Sequence, residues 1–317
     1  MKEREAYWDA VKALLIMLVI AGHSIQFIQG GDIWDNLVFK GIYMFHMPLF
    51  VMVSGYFGIT GIERRGWRSF LRLARRLLPP VIILYMLRLA TNVWILHTPV
   101  SKASQLGDGA LWFLVVLMEC SLFANMMFSL HNKLWRGLWI AIPLGIGILA
   151  EGIMPYASYF TTLWPCFLMG AYMRKLHFQR TSINAKWLIT MPLFAGALLC
   201  YKNEWYMYLA PLHLDVESAR AWLTRLVCAV IGSACFLCAV HLFKMEKSRH
   251  LCKMGSCTLA IYVLQALFFK CTSMFYPIHC TNTAVALLIS LVITSGLYLA
   301  YRITHRSKLI ASLLYGE

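Results

Sequence analysis

Lys12 and His23 stand eleven residues apart in an apolar stretch. At 100° per residue, eleven steps close to within about 20° of three turns, so both lie on one helix face, about 16 Å apart. Ionisable side chains at membrane depth are costly and mark functional positions by default. A neutral imidazole is a suitable general base. An ammonium about one pantetheine arm away suits the phosphates of a donor. Arg64, Arg65, Arg68, Arg72, Arg75 and Arg76 crowd one short segment and strengthen that reading. Together they predict a phosphorylated donor that enters beside Lys12 and reacts near His23. His46, Arg88, Glu119, Gln265 and Lys270 interrupt other apolar stretches. Counted along their helices, they share a layer with His23 roughly 6–17 Å below the outer surface. G-x-S-x-G, Walker A and H-E-x-x-H patterns are absent. The H-x4-D of lipid acyltransferases also fails, because Ile28 stands five residues after His23. Cys235-x-x-Cys238 sits in an apolar helix and reads as small buried hydrophobes, so no metal is expected. Cys200 and Cys280 fall near the outer side, where a disulfide stays open as an option.

The chain that must position these groups has 317 residues, 60% of them apolar and 14% charged. Its mean hydropathy is +0.65. So few polar residues cannot cover a soluble protein of this size, which excludes a soluble enzyme, a disordered chain and a disulfide scaffold. About 20 residues cross a bilayer as a helix. Apolar stretches at about 11–28, 37–57, 77–96, 111–130, 135–150, 157–173, 187–201, 222–243, 257–276 and 283–301 predict an all-α integral membrane protein with ten transmembrane helices. Those at 135–150, 157–173 and 187–201 are short or interrupted by Pro and Gly. Of the 29 Lys and Arg, 21 fall in one alternate set of gaps and 5 in the other, while Lys12, Arg88 and Lys270 lie within spans. By the positive-inside rule both termini are cytoplasmic. The net charge of +15 thus reads as topology, and no nucleic-acid partner is expected. The first stretch is longer than a signal-peptide core and lacks an A-x-A-like site, so it reads as a retained span. No gap is long enough for a soluble domain, so residues 1–317 form a single transmembrane domain.

Several segments together resemble acyltransferase family 3 membrane proteins, and most of all the fucose 4-O-acetylase-related subgroup. The family's first helix carries a basic residue, ten residues and a His, as from Lys12 to His23 after Asp9-Ala-Val. Phe45-His46-Met47-Pro48-Leu49-Phe50 through Ser54-Gly55-Tyr56-Phe57 is similar to its F-H-M-P-x-F…S-G-Y-F block. Arg68, Arg72, Arg75 and Arg76 before Pro79-Pro80 resemble its basic lead into the third span. Leu111-Trp112-Phe113-Leu114, Pro165…Gly170-Ala-Tyr172 with Arg174, and Gly255…Thr258-Leu259-Ala260-Ile261-Tyr262 match later elements. In two places the chain departs from the pattern. Many members have Arg where Lys12 stands, so the bidentate fork is lost. The last element often ends in His, and here Gln265 takes that place and can only bind or orient.

The resemblance implies a membrane O-acyltransferase. It would move an acyl group, commonly acetyl from cytoplasmic acetyl-CoA, to a hydroxyl of a cell-surface glycan or lipid-linked sugar, in the bacterial cytoplasmic membrane. His23 would be the catalytic base, His46 would assist it, and Glu119 would orient a His or bind acceptor. Lys12, Arg68, Arg72, Arg75 and Arg76 would hold CoA phosphates. Arg88, Gln265 and Trp112 are assigned to substrate binding. His213, Asp215 and Glu217 read first as a solvated outer loop and second as a sugar contact. Two other classes compete. A transporter or flippase would use Lys12 and His23 as a proton relay, and a membrane-assembly subunit would have no catalysis.

Overall fold

Each of the ten expected apolar stretches is helical in the computed structural model, which describes residues 3–29, 33–95, 97–99, 111–150, 156–176, 183–206, 212–275 and 279–316. Lys2, Lys102 and Arg180, which entered the charge count, lie outside the described residues. The α-helices are α1 (Glu3–Ile28), α2 (Leu37–Tyr43), α3 (His46–Arg65), α4 (Trp67–Ala90), α5 (Leu111–Ser129), α6 (Lys133–Leu149), α7 (Ala157–Lys175), α8 (Ile183–Cys200), α9 (Val216–Leu242), α10 (Arg249–Ser256), α11 (Thr258–Phe275), α12 (Thr283–Thr304) and α13 (Lys308–Tyr315). A π-helical turn, Thr91–Ile95, continues α4. No strand occurs among the described residues, which hold one isolated bridge, Gln29 to Cys280.

Six segments are long and apolar enough to cross a membrane: Ala6–Ile28, Leu37–Arg65, Trp67–Ile95, Leu111–Ser129, Val216–Leu242 and Thr283–Thr304. A seventh is the pair α10–α11, bent by 74°. The protein is therefore all-helical with six or seven membrane-capable segments. Of the ten expected stretches, the three not among these, in α6, α7 and α8, are those whose sequence is short or interrupted. α7 carries Thr161, Thr162 and Arg174, which lower its apolarity. It packs against α3, α5 and α6, so protein rather than lipid covers much of it.

α1 runs through the middle of the bundle and touches α2, α3, α9, α10, α11 and α12. This centrality explains why Lys12 and His23 meet groups from several helices. The most extensive helix pair is α3 with α7. Two glycines make it reciprocal. A Cβ at Gly55 would overlap the Phe167 carbonyl, and one at Gly170 would overlap the Met52 carbonyl. Small residues let backbones approach where no hydrophobic force drives association in lipid. Gly255 does the same for α10, meeting the Asp9 carbonyl of α1.

Indoles fasten the neighbours. Trp139 on α6 donates to the Phe123 carbonyl of α5 at 3.1 Å, and Trp164 on α7 to the Ile140 carbonyl of α6 at 3.1 Å. Trp222 on α9 donates to the Thr161 carbonyl at 3.2 Å. Four residues on from Thr161 stands Pro165, which has no N–H to offer that carbonyl. α13 lies against α4, where Gly316 packs on the Arg76 carbonyl that Pro80 leaves free.

Gly55→Leu and Gly170→Leu should each destabilise the protein by about 1–3 kcal/mol or more through overpacking. Thermal unfolding in detergent reads this as a lowered midpoint. Gly296→Ala, with open space at its Cβ position, should leave the midpoint close to that of the unaltered protein.

Candidate active site

His23 is half-buried on α1, and its Nδ1 lies 2.7 Å from Gln265 Oε1 on α11. An amide oxygen only accepts. With that oxygen facing it, Nδ1–H donates, and in the neutral ring Nε2 keeps its lone pair. The rings of Phe27 and Phe269 stand edge-on to the imidazole, with centroids 5.8 and 5.6 Å away. Gln265 is fully buried, and its Nε2 has no hydrogen-bond partner among the described residues. An orphaned donor at 0% exposure is costly and points to a group that arrives from outside.

His46 reaches the same region from a broken helix. α2 ends and α3 begins at Met44–Phe45, and Pro48 in the first turn of α3 has no N–H for the Met44 carbonyl. With the ladder interrupted, the Ile42 carbonyl accepts from the His46 imidazole Nδ1–H at 2.8 Å. In its neutral form His46 leaves Nε2 without a proton. Tyr43 stacks edge-on against His46 at 4.8 Å and donates from its hydroxyl to Gln26 Oε1 at 3.1 Å. Gly22, beside His23, gives the Tyr43 ring its room.

Toward the opposite end of α1, a cavity of about 210 Å³ is lined by Lys12, Ser54, Arg76, Thr258 and several apolar side chains. Lys12 Nζ pairs with Asp9 Oδ1 at 2.7 Å and stands 5.6 Å from the Phe57 ring centroid. An ammonium has three donors, so this pair does not exhaust it. An open cleft of about 370 Å³ runs along α4 beside Arg68, Leu71, Arg72 and Arg75. These arginines follow i, i+4 and i+7, one face of the helix.

The structure thus joins His23 to Gln265, sets His46 close by, and gathers Lys12 with Arg76. Arg68, Arg72 and Arg75 form the adjoining cleft. It does not bring Arg88, Trp112 or Glu119 to the lining of either cavity. Trp112 packs on Tyr159 at 5.0 Å. Glu119 Oε2 is buried with no hydrogen-bond partner among the described residues. Asp215 caps α9 through Ser218 N at 2.8 Å, a structural role. Cys200, Cys280, Cys235 and Cys238 are free thiols. No His, Cys, Asp or Glu cluster able to hold a metal occurs among the described residues.

Counting charges by gaps overlooked Arg225. Its guanidinium is buried and donates to the Trp205 carbonyl at 2.8 Å and to Thr162 Oγ1 at 3.2 Å. The signal was its place inside the apolar stretch 222–243.

Gln265→Leu leaves the His23 Nδ1–H without its acceptor and should cost about 1–3 kcal/mol. In a His23→Phe background the same substitution should cost much less. A double-mutant cycle of thermal unfolding reads that coupling.

The family profile described as an acyltransferase domain matches residues 5–302. Among curated proteins, the nodulation protein NolL of Mesorhizobium japonicum is 28% identical over 299 residues, covering 84% of this chain and 77% of that protein. The nodulation protein NolL of Sinorhizobium fredii is 28% identical over 298 residues, covering 86% of this chain and 80% of that one. No solved structure matches the chain. With nearly its whole length covered by the profile, the chain belongs to acyltransferase family 3 and is an acyltransferase.

Proposed function

We propose that the protein is an O-acyltransferase of the bacterial cytoplasmic membrane. It moves an acetyl group from cytoplasmic acetyl-CoA to a hydroxyl of a cell-surface glycan or lipid-linked sugar. The observation that carries this reading is the His23–Gln265 hydrogen bond, which directs an unprotonated Nε2 away from its own support. In this reading ten helices cross the bilayer with both termini cytoplasmic, so the arginine face of α4 meets the nucleotide-bearing donor at the cytoplasmic surface.

Arg68, Arg72 and Arg75, with Arg76 and Lys12 at the cavity mouth, suit the phosphates of CoA, because guanidinium groups grip phosphate oxygens bidentately. The pantetheine arm then follows the cavity from Lys12 toward His23. His23 Nε2 takes the proton of the acceptor hydroxyl. The hydroxyl oxygen forms the new ester bond to the acyl carbon as the thioester C–S bond breaks. His23 then returns its proton to the departing CoA sulfur. The orphaned Gln265 Nε2–H suits the oxygen that carries negative charge during attack. His46, held through Nδ1, assists by fixing the acceptor. Arg88, Trp112 and Glu119 sit away from this line; in this reading they contact the acceptor.

In proteoliposomes given acetyl-CoA and native glycan acceptor, His23→Ala should lower transfer by about 10²–10⁴-fold, the usual worth of a general base. Normal transfer by that variant would sink the assignment. Arg72→Ala with Arg75→Ala should raise KM for acetyl-CoA and leave kcat nearly unchanged, the mark of lost ground-state binding.

A further inference from the structure

The cavity at the Lys12 mouth stops short of the histidines. Neither His23, His46 nor Gln265 lines it. Three rings in its wall stand nearest them along their helices: Phe50 on α3, Phe113 on α5 and Tyr262 on α11. Phe113 stands 5.9 Å from Phe50 and 5.3 Å from Tyr262, centroid to centroid, and all three side chains are buried.

The order of residues along the helices places this layer. On α3, Ser54 and, one turn further, Phe50 line the cavity, and His46 comes one turn beyond Phe50. On α11, Thr258 and, four residues on, Tyr262 line it, and Gln265 comes three after that. On α1, Lys12 lines the mouth and His23 lies at the far end. In α3 and α11 alike, the aromatic residue falls between the mouth and the site. From the layer to His46 or Gln265 the axial distance is about 4.5–6 Å. That accommodates a thioester carbonyl with a methyl group and little more.

Resting on the function proposed above, we infer that the Phe50–Phe113–Tyr262 layer selects the acyl group, passing a short acyl thioester to His23 and rejecting longer chains. A pocket in close contact with its substrate discriminates about 10–200-fold per methylene. Three rigid rings supply such contact, because each loses little conformational freedom when packed.

Inside-out vesicles carrying the native acceptor, given radiolabelled acetyl-, butyryl- or hexanoyl-CoA, test this through label in the glycan fraction. The unaltered protein should prefer acetyl. Tyr262→Ala and Phe50→Ala should raise the butyryl-to-acetyl ratio at least tenfold. Phe50→Leu and Phe113→Leu, which keep more of the packing, should shift the ratio in the same direction if the Ala variants fail to fold. Equal losses for all three donors, with the ratio unchanged, would overturn the inference and leave the acyltransferase reading standing. Failure of the unaltered protein to transfer any acyl group would overturn both.

Discussion

A hydrogen-bonding group inside a bilayer must find its partner within the protein, because no water is there to supply one. Much of this architecture follows from that constraint. Where Pro165 withholds its N–H, the Trp222 indole supplies the missing donor to the Thr161 carbonyl and ties α9 to α7. Where α2 and α3 break, the His46 imidazole uses the carbonyl of Ile42. Where the His23 imidazole stands near the C-terminal end of α1, Gln265 accepts from its Nδ1. In both histidines Nδ1 is the nitrogen that faces a protein oxygen. The proposed chemistry uses the other nitrogen, Nε2, of His23.

The helices that carry these groups are held by backbone approach as well as by side chains. Gly55 and Gly170 bring α3 and α7 together, and Gly255 brings α10 onto α1. Each contact fixes one wall of the path from Lys12 to His23. α1 and α3, two of the helices that line the cavity at Lys12, are placed by these glycine contacts, so the width of that cavity is a property of packing. The size selection proposed for the aromatic layer relies on such packing, because the rings cannot retreat without displacing the helices behind them.

The legible part of this protein was its family and its helices. Lys12 and His23 were readable from their eleven-residue spacing on an apolar helix, and the α4 arginines from their crowding. The ten apolar stretches each proved helical, and the three flagged as short or interrupted are the three that fall below the length or apolarity of a simple span. What stayed hidden depends on contacts between distant segments. Gln265 was recognisable as a departure from the family pattern, but its grip on His23 crosses 242 positions in sequence. Arg225 is one of the five basic residues counted in the sparse set of gaps, and Trp205 and Thr162 hold it inside the fold. Arg88 and Glu119 were singled out by depth and Trp112 by a family motif, and none of the three lines the cavity or the cleft. Rotation about each helix axis, which decides what a side chain faces, is set by packing.

The account depends most on the protonation of one ring. Solid-state NMR of the protein with ¹⁵N-labelled histidine, assigned by loss of signal in His23→Gln, reads it directly. The structure predicts a protonated Nδ1 and an unprotonated Nε2 for His23 in the resting protein. A His23 resonance pair with the proton on Nε2 would contradict the account, since the nitrogen required to receive the acceptor's proton would already be occupied.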